Sequence, residues 1–326
     1  MHNTLTIPTV MTALASLAAA SSSPFNAGQP ISIPKGDISL AGHLYQPTNA
    51  STTPPTIVVV HPGGGVKEQA AGLYAKKLSE RGFIAITFDA AHQGESGGLP
   101  RLLENPASRV SDVSAVVDYA QQQDFVNATR LGVLGICAGG AYGAAATARD
   151  HRIRALATVS MVNIGDGARA DWYGNSSSID IEQLMEDAAD NLVAQAAGAE
   201  PTYDNYVPPQ PDESTPYDLV QASDYYLIPR AQHPNAPNRM LTTSFPLIAS
   251  FDAYDLADQL LTQPTLLIAG ADAGSLWHTD RLDQVLGGAT QRLTIPGAGH
   301  MDLYDGVEEV ALAIRELEQF YGEYLA

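Results

Sequence analysis

A thiol sits between glycines in Gly135-Ile136-Cys137-Ala138-Gly139-Gly140, and Cys137 is the single cysteine of the chain. An apolar run, Leu131 to Leu134, precedes this stretch, and a run of small residues, Ala141 to Ala148, follows it. Strand, tight turn, then helix is the reading. G-x-C-x-G at such a turn is the pattern of a nucleophile elbow with Cys in place of Ser. Glycines flank the nucleophile because so sharp a turn leaves no room for side chains beside it. The chemistry implied is covalent acyl transfer, which needs a nucleophile, a base and donors for a developing oxyanion. The helix that follows should aim its amides and positive dipole end at the sulfur and favour thiolate over thiol.

The best base is His300, in Gly297-Ala298-Gly299-His300 just after the last expected strand, Gln291 to Ile295. His278 and His92 are rivals that follow no strand so closely. Asp272, in Gly270-Ala271-Asp272 after Thr265 to Ala269, is the expected orienting acid, holding the imidazole tautomer and offsetting its charge. Asp280 and Asp283 lie further from that strand end. The oxyanion donors would be the amide of Ala138 and one from His61-Pro62-Gly63-Gly64-Gly65, where either Gly63 or Gly64 could serve. That glycine loop is not a phosphate loop, because no G-K-[ST] follows at the needed spacing. Gly94-Glu95-Ser96-Gly97-Gly98 also matches G-x-S-x-G, but it leads into Leu99-Pro100 rather than a helix, so Ser96 reads as a loop residue.

The elements that must position these groups alternate along the chain. Ile31 to Ile33 and Ile38 to Tyr45 read as strands around the Lys35-Gly36-Asp37 turn. Thr56 to Val60, Phe83 to Phe88, Leu131 to Ile136, Ala155 to Ser160, Thr265 to Ala269 and Gln291 to Ile295 read as further strands. Helices are expected over Val66 to Arg81, Arg109 to Gln122 and Val307 to Tyr321. Near-continuous apolar strands alternating with helices indicate a mostly parallel, doubly wound sheet covered on both faces. Ligands in such sheets sit beyond the carboxyl ends of the strands, where every candidate catalytic group falls.

The alternation breaks from about 165 to 258. A helix over Ile181 to Ala197, with Leu184, Met185, Ala188, Leu192 and Val193 along one side, leads into a Pro- and Tyr-rich stretch, Pro201 to Pro237. A long insertion of this kind reads as a functional cap. The core is then 21–164 with 259–326, and the cap is 165–258. Trp172, Tyr173, Tyr206, Tyr225 and Tyr226 offer apolar surface with polar tips for a substrate. Between Asp166 and Asp258 there are 16 acidic residues against Arg169, Arg230 and Arg239. Together with a formal net charge of −19, this argues against nucleic-acid and anionic-membrane partners and for a neutral, fairly hydrophobic acyl substrate. The histidines are scattered and no H-E-x-x-H, cysteine cluster or nucleotide fingerprint is present, so neither metal nor cofactor is expected.

Thr9 to Ala20 is apolar and small, and Ala18-Ala19-Ala20 offers an A-x-A cleavage site, so residues 1–20 read as a secretory signal peptide. N-x-[ST] sequons at Asn49, Asn127 and Asn175 agree with a secreted glycoprotein; a cytoplasmic protein is the alternative. No stretch reaches the length of a membrane span.

Taken together, the order Cys137, Asp272, His300 resembles the α/β-hydrolase superfamily over about residues 30 to 325. With its Cys nucleophile, and with HPGGGVKEQ, AGLYA, FDAAHQGESGG and LGICAGG, the chain is similar to a dienelactone-hydrolase-like group that includes fungal polyketide transferases. The resemblance implies the α/β-hydrolase fold, the triad and acyl-transfer chemistry. It does not extend to the dienelactone substrate. The glutamate that pairs with the thiol in dienelactone hydrolase would fall near His61 here, with Glu68 the nearest acid, and no substrate-holding arginine stands at a matching place. Three function classes follow: a hydrolase of esters, lactones or thioesters; an acyltransferase passing the acyl group to an alcohol or amine; and a non-catalytic binding protein, which would need a broken triad.

Overall fold

The structure, a computed structural model, describes residues 28–48, 53–175 and 179–326. The expected signal peptide and the Asn49 sequon lie outside the described residues, and the Asn175 sequon runs into 176–178. Eight strands form the main sheet: β1 (Gln29–Lys35), β2 (Ile38–Tyr45), β3 (Thr56–Val60), β4 (Ile84–Phe88), β5 (Leu131–Ile136), β6 (Ala155–Val159), β9 (Thr265–Gly270) and β10 (Gln291–Ile295). Their spatial order is β1-β2-β4-β3-β5-β6-β9-β10. β1 and β2 run antiparallel at one edge; from β4 to β10 every pairing is parallel.

Every residue of β3, β4, β5, β6 and β9 is buried. This is why those segments read as continuous apolar runs: helices cover both faces. On one face α1 (Ala70–Glu80) and α11 (Val307–Tyr324) contribute Ala71, Tyr74, Ala75, Leu78, Ile314 and Leu317 to the core. On the other, α2 (Pro106–Gln121) and α3 (Ala138–Arg149) pack Val113, Val117, Ala141 and Tyr142 against the sheet. Burying each such aliphatic side chain is worth about 1.5–3 kcal/mol. α2 starts three residues earlier than its apolar stripe suggests, because Asn105 caps it, accepting from the amides of Ala107 (3.0 Å) and Ser108 (3.2 Å), with Pro106 at the first helical position.

Between β6 and β9 lie α4 (Ile164–Ala170), α5 (Ile181–Ala196), β7 (Tyr203–Asp204), α6 (Tyr217–Leu227), β8 (Met240–Leu241), α7 (Phe245–Ala249) and α8 (Ala257–Leu260). β7 and β8 pair with each other in a small antiparallel ladder outside the main sheet, two strands that the sequence pattern did not signal. α5 buries only Ala188. Its expected apolar side, Leu184, Met185, Leu192 and Val193, faces outward. α9 (Leu276–Val285) connects β9 to β10, and α10 (Asp302–Asp305) lies between β10 and α11.

α1 begins at Ala70 rather than Val66 because the preceding residues spend their amides elsewhere. The Val66 amide donates to Gln69 Oε1 (3.0 Å) and the Lys67 amide to Asp89 Oδ1 (2.9 Å). The buried Lys67 ammonium meets Asp89 Oδ2 at 2.9 Å, Glu68 Oε1 at 2.6 Å and Glu95 Oε2 at 2.6 Å. Burial opposes its charge, but these carboxylates outweigh burial and keep it protonated. The cluster ties the loop after β3 to the loop after β4. Removing the cation strands a buried carboxylate at Asp89, so Lys67→Met should cost about 3–5 kcal/mol. Urea unfolding would measure this, and the gap from wild type should narrow as pH falls and Asp89 is protonated.

Candidate active site

The elbow forms where β5 ends. Cys137 donates its amide to Val159 O (3.0 Å), and its carbonyl accepts from the amides of Gly140 (2.8 Å) and Val162 (3.0 Å). These bonds hold Cys137 at φ 53°, ψ −124°, a conformation a residue with a β-carbon adopts only under strain. Two glycines make the turn possible. A methyl group on Gly135 would collide with the Gly139 carbonyl, and one on Gly139 with the Val60 carbonyl. The half-buried sulfur therefore projects past the strand ends into a cavity of about 320 Å³.

Burial pushes the Cys137 thiol up from its ordinary value. A hydrogen bond from Tyr304, the amides of Ala138 and Gly63, and the charge of Arg109 all pull the other way without winning. The resting sulfur is thus a thiol, contrary to the thiolate expected at a helix N-terminus: desolvation exceeds what the helix end supplies. Of the two candidate glycines, Gly63 presents its amide to the sulfur, while Gly64, at φ +68°, lies against the Tyr206 ring. Both belong to a loop braced from behind. Arg109 Nη1 donates to His61 Nε2 (2.8 Å) and Nη2 to His61 O (2.8 Å). Its charge is met by Glu104 at 3.4 Å. Glu104 accepts from Tyr142 Oη (2.7 Å) and Tyr206 Oη (2.7 Å), the latter reaching in from the insertion.

His300 is buried and lines the same cavity as Cys137. Its Nε2 lies 3.3 Å from Tyr304 Oη, and the same tyrosine is among the groups that oppose the rise in the thiol pKa. Its Nδ1 pairs with Ser275 Oγ at 2.6 Å, and its ring meets Trp172 edge-to-face at a centroid distance of 5.0 Å. Burial lowers its pKa to about 4, with the nearby Asp218 carboxylate opposing the shift. Asp272, expected on Nδ1, is not there. Its side chain is exposed, because the turn after β9, fixed by Asp272 N donating to Ala298 O (2.9 Å), points it outward and brings Ser275 in. The buried acid of the site is Asp218, from α6. Oδ1 accepts the His300 amide (3.0 Å), and Oδ2 accepts Trp172 Nε1 (2.9 Å) and the Gly274 amide (2.7 Å).

Sequence reasoning missed Ser275, Asp218 and Tyr304. Tyr304 alone left a trace, four residues after His300. Of the aromatic candidates, Trp172, Tyr206 and Tyr226 line the cavity. Tyr225 instead stacks edge-on with Tyr226 and Tyr304 in the core (4.9 and 5.2 Å), and Tyr173 is largely exposed, because only alternate faces of α6 and the α4–α5 loop look inward. Ser96 is a staple: its hydroxyl donates to Asp89 O (2.6 Å) and accepts from the Ala41 amide (2.8 Å). His92 pairs with Pro100 O (3.0 Å), away from the cavity, whereas His278 lines it. Among the described residues, no cluster of His, Cys, Asp and Glu could hold a metal ion, and no helix is long and apolar enough to cross a membrane.

Residues 8–227 match the PETase family, described as PET hydrolase-like; the matched span includes Cys137 and Asp218 and ends before His300. Uncharacterized protein YcjY of Escherichia coli (strain K12) is 45% identical over 291 residues, which are 88% of this chain and 95% of that protein. Uncharacterized protein PA2218 of Pseudomonas aeruginosa is 34% identical over 304 residues, 88% of this chain and 78% of its own. The crystal structure of PA2218 superposes with a TM-score of 0.86 at 28% identity, covering 97% of this chain and 100% of that one. The α/β hydrolase GrgF from Penicillium sp. sh18 shares the fold, with a TM-score of 0.73 at 21% identity over 91% of this chain and 98% of its own.

A half-buried thiol that is protonated at rest should alkylate slowly. Iodoacetamide is expected to modify Cys137 well below the rate of free glutathione at pH 7 and to accelerate above pH 9. A fast reaction that stays flat down to pH 5 would mean a standing thiolate.

Proposed function

The chain belongs to the PET hydrolase-like family of α/β hydrolases, and we propose that within it this protein hydrolyses carboxylic esters, lactones or thioesters through an acyl-Cys137 intermediate. One observation carries the reading: a thiol on a strained elbow shares a cavity with Gly63, Ala138 and a buried imidazole. The finer kinship with Cys-dependent dienelactone hydrolases rests on the same thiol.

In this scheme His300 Nε2 takes the proton from Cys137 Sγ as sulfur attacks the substrate carbonyl. The carbonyl electrons move onto oxygen, where the amides of Ala138 and Gly63 receive them. Collapse expels the alcohol or thiol, which leaves with the proton from His300. A water then gives a proton to His300, attacks the thioester, and the acid departs as Sγ regains its proton. The scheme needs a neutral imidazole with its proton on Nδ1, a proton that Ser275 Oγ, 2.6 Å away, is able to accept. Ser275 carries no charge to balance the imidazolium; the carboxylate of Asp218, fixed by three N–H donors, does. The work assigned by sequence to Asp272 is therefore divided between two residues.

A second reading, transfer of the acyl group to an alcohol or amine, draws support from relatives described as a polyketide transferase and an acyltransferase. An alcohol added during turnover, with ester rather than acid as the main product, would favour it.

Cys137→Ala should abolish turnover of p-nitrophenyl acyl esters; retained turnover would end the scheme. Asp218→Asn and Ser275→Ala should each lower kcat about 10- to 100-fold, while Asp272→Asn should leave it within about 3-fold of wild type; the reverse pattern would restore Asp272 as the orienting acid. Because the base must be unprotonated, kcat/KM for a neutral ester should hold from pH 7 down to about 5. It should then fall through a midpoint of about 4, the value to which burial lowers His300.

A further inference from the structure

His278 has no part in the acyl-transfer scheme, yet its surroundings are unusual. The side chain is fully buried and lines the same cavity as Cys137 and His300. Neither Nδ1 nor Nε2 has a hydrogen-bond partner. Buried polar atoms are seldom left so, since each costs about 1–3 kcal/mol. The ring is also held in place. It stacks on Trp277 at a centroid distance of 3.7 Å, and Trp277 Nε1 donates to Trp172 O (3.0 Å). The His278 carbonyl accepts from Tyr254 Oη (2.9 Å). A fixed imidazole at the wall of a substrate cavity, with both polar edges unanswered, is a recognition group waiting for its ligand.

Its chemistry narrows what that ligand is. Burial, with the positive fields of His300 and Arg281 opposing a further charge, lowers its pKa to about 3, so the ring is neutral. A neutral imidazole offers one donor and one lone pair. A carboxylate would find a single N–H and a wall of apolar side chains that includes Val162, Ile164 and Ile248, with the nearby Arg281 outside the lining and already paired to Asp166 and Asp252. An ammonium group beside His278 finds no carboxylate committed to it: Asp171, which lines the cavity, is partly exposed and accepts the Trp172 amide (2.6 Å), and the buried Asp218 is occupied by three N–H donors. A hydroxyl can both donate and accept, and it remains neutral.

We infer that His278 forms a recognition subsite for a hydroxyl group on the acyl chain of the substrate, so that the protein selects hydroxyacyl esters or thioesters over their unsubstituted counterparts. The inference rests on the acyl-hydrolase reading for its kinetic form, but the subsite itself is a binding claim.

Two measurements separate the two. The first compares p-nitrophenyl hexanoate with hexanoates carrying one hydroxyl at C3, C4, C5 or C6. Wild type should prefer one hydroxylated isomer by about 10-fold or more in kcat/KM. In His278→Phe, which keeps the stacked ring but loses both nitrogens, that ratio should fall to near one. His278→Gln, which keeps a donor and an acceptor, should retain part of it. Equal ratios in wild type and His278→Phe would overturn the subsite. The second uses Cys137→Ala protein with 15N-labelled histidine, titrated with hexanamide and with the hydroxyhexanamides. One hydroxylated amide should shift a ring nitrogen of His278, and hexanamide should not. Ring signals indifferent to every hydroxylated amide would sink the inference even in an active esterase. A shift in a protein without ester turnover would uphold the subsite and reject the acyl-hydrolase reading instead.

Discussion

Desolvation of one sulfur and one imidazole sets the terms for the rest of the site. Both groups sit in the cavity under the insertion, and burial opposes charge on each, raising the thiol and lowering the histidine. The resting pair is therefore neutral, unlike an exposed thiol and imidazole that could share a proton as an ion pair. On the proposed acyl-transfer reading, the groups around them answer charge that exists only during reaction: the amides of Ala138 and Gly63 would receive an oxyanion, and the Asp218 carboxylate would balance the imidazole once it takes a proton. In a low dielectric such groups are worth most when charge appears and cost little reorganisation.

That arrangement needs rigid loops, and two buried cations supply them. Lys67 binds the loop after β3 to the loop after β4 through Asp89, while Arg109 clamps the carbonyl and ring of His61 from behind and is balanced by Glu104. Neither pair is a source of large net stability, because desolvation cancels much of the attraction. Their value is geometric: they fix a glycine loop that has few side chains of its own to pack.

The inner strands of the main sheet were legible because they are buried on both faces and so read as near-continuous apolar runs; β3 and β5 agree with their sequence runs residue for residue, as does the more exposed edge strand β10. The elbow at Cys137 was legible because such a turn needs glycines at fixed offsets, and the place of His300 at the cavity because it follows the last strand closely. Asp272 misled for a physical reason. Proximity to a strand end says that a residue can reach the site, but the turn decides which side chain points inward, and here it is Ser275. Asp218 could not be found by spacing, since it meets His300 across 82 residues of chain. α5 misled differently: its apolar periodicity is real, yet only Ala188 is covered.

Tyr206 and Asp218 both belong to the stretch between β6 and β9, and both answer groups in the sheet-bearing part: Tyr206 donates to the buried Glu104, and Asp218 accepts from the His300 amide. That stretch is therefore not an interchangeable lid. Grafting a homologous segment onto this scaffold to alter substrate range would leave Glu104 short of a donor and the histidine loop without its anchor, unless a tyrosine and an aspartate were carried across in register. Diversification of this architecture should accordingly proceed by changing the cavity wall around those two residues, with the residues themselves held constant.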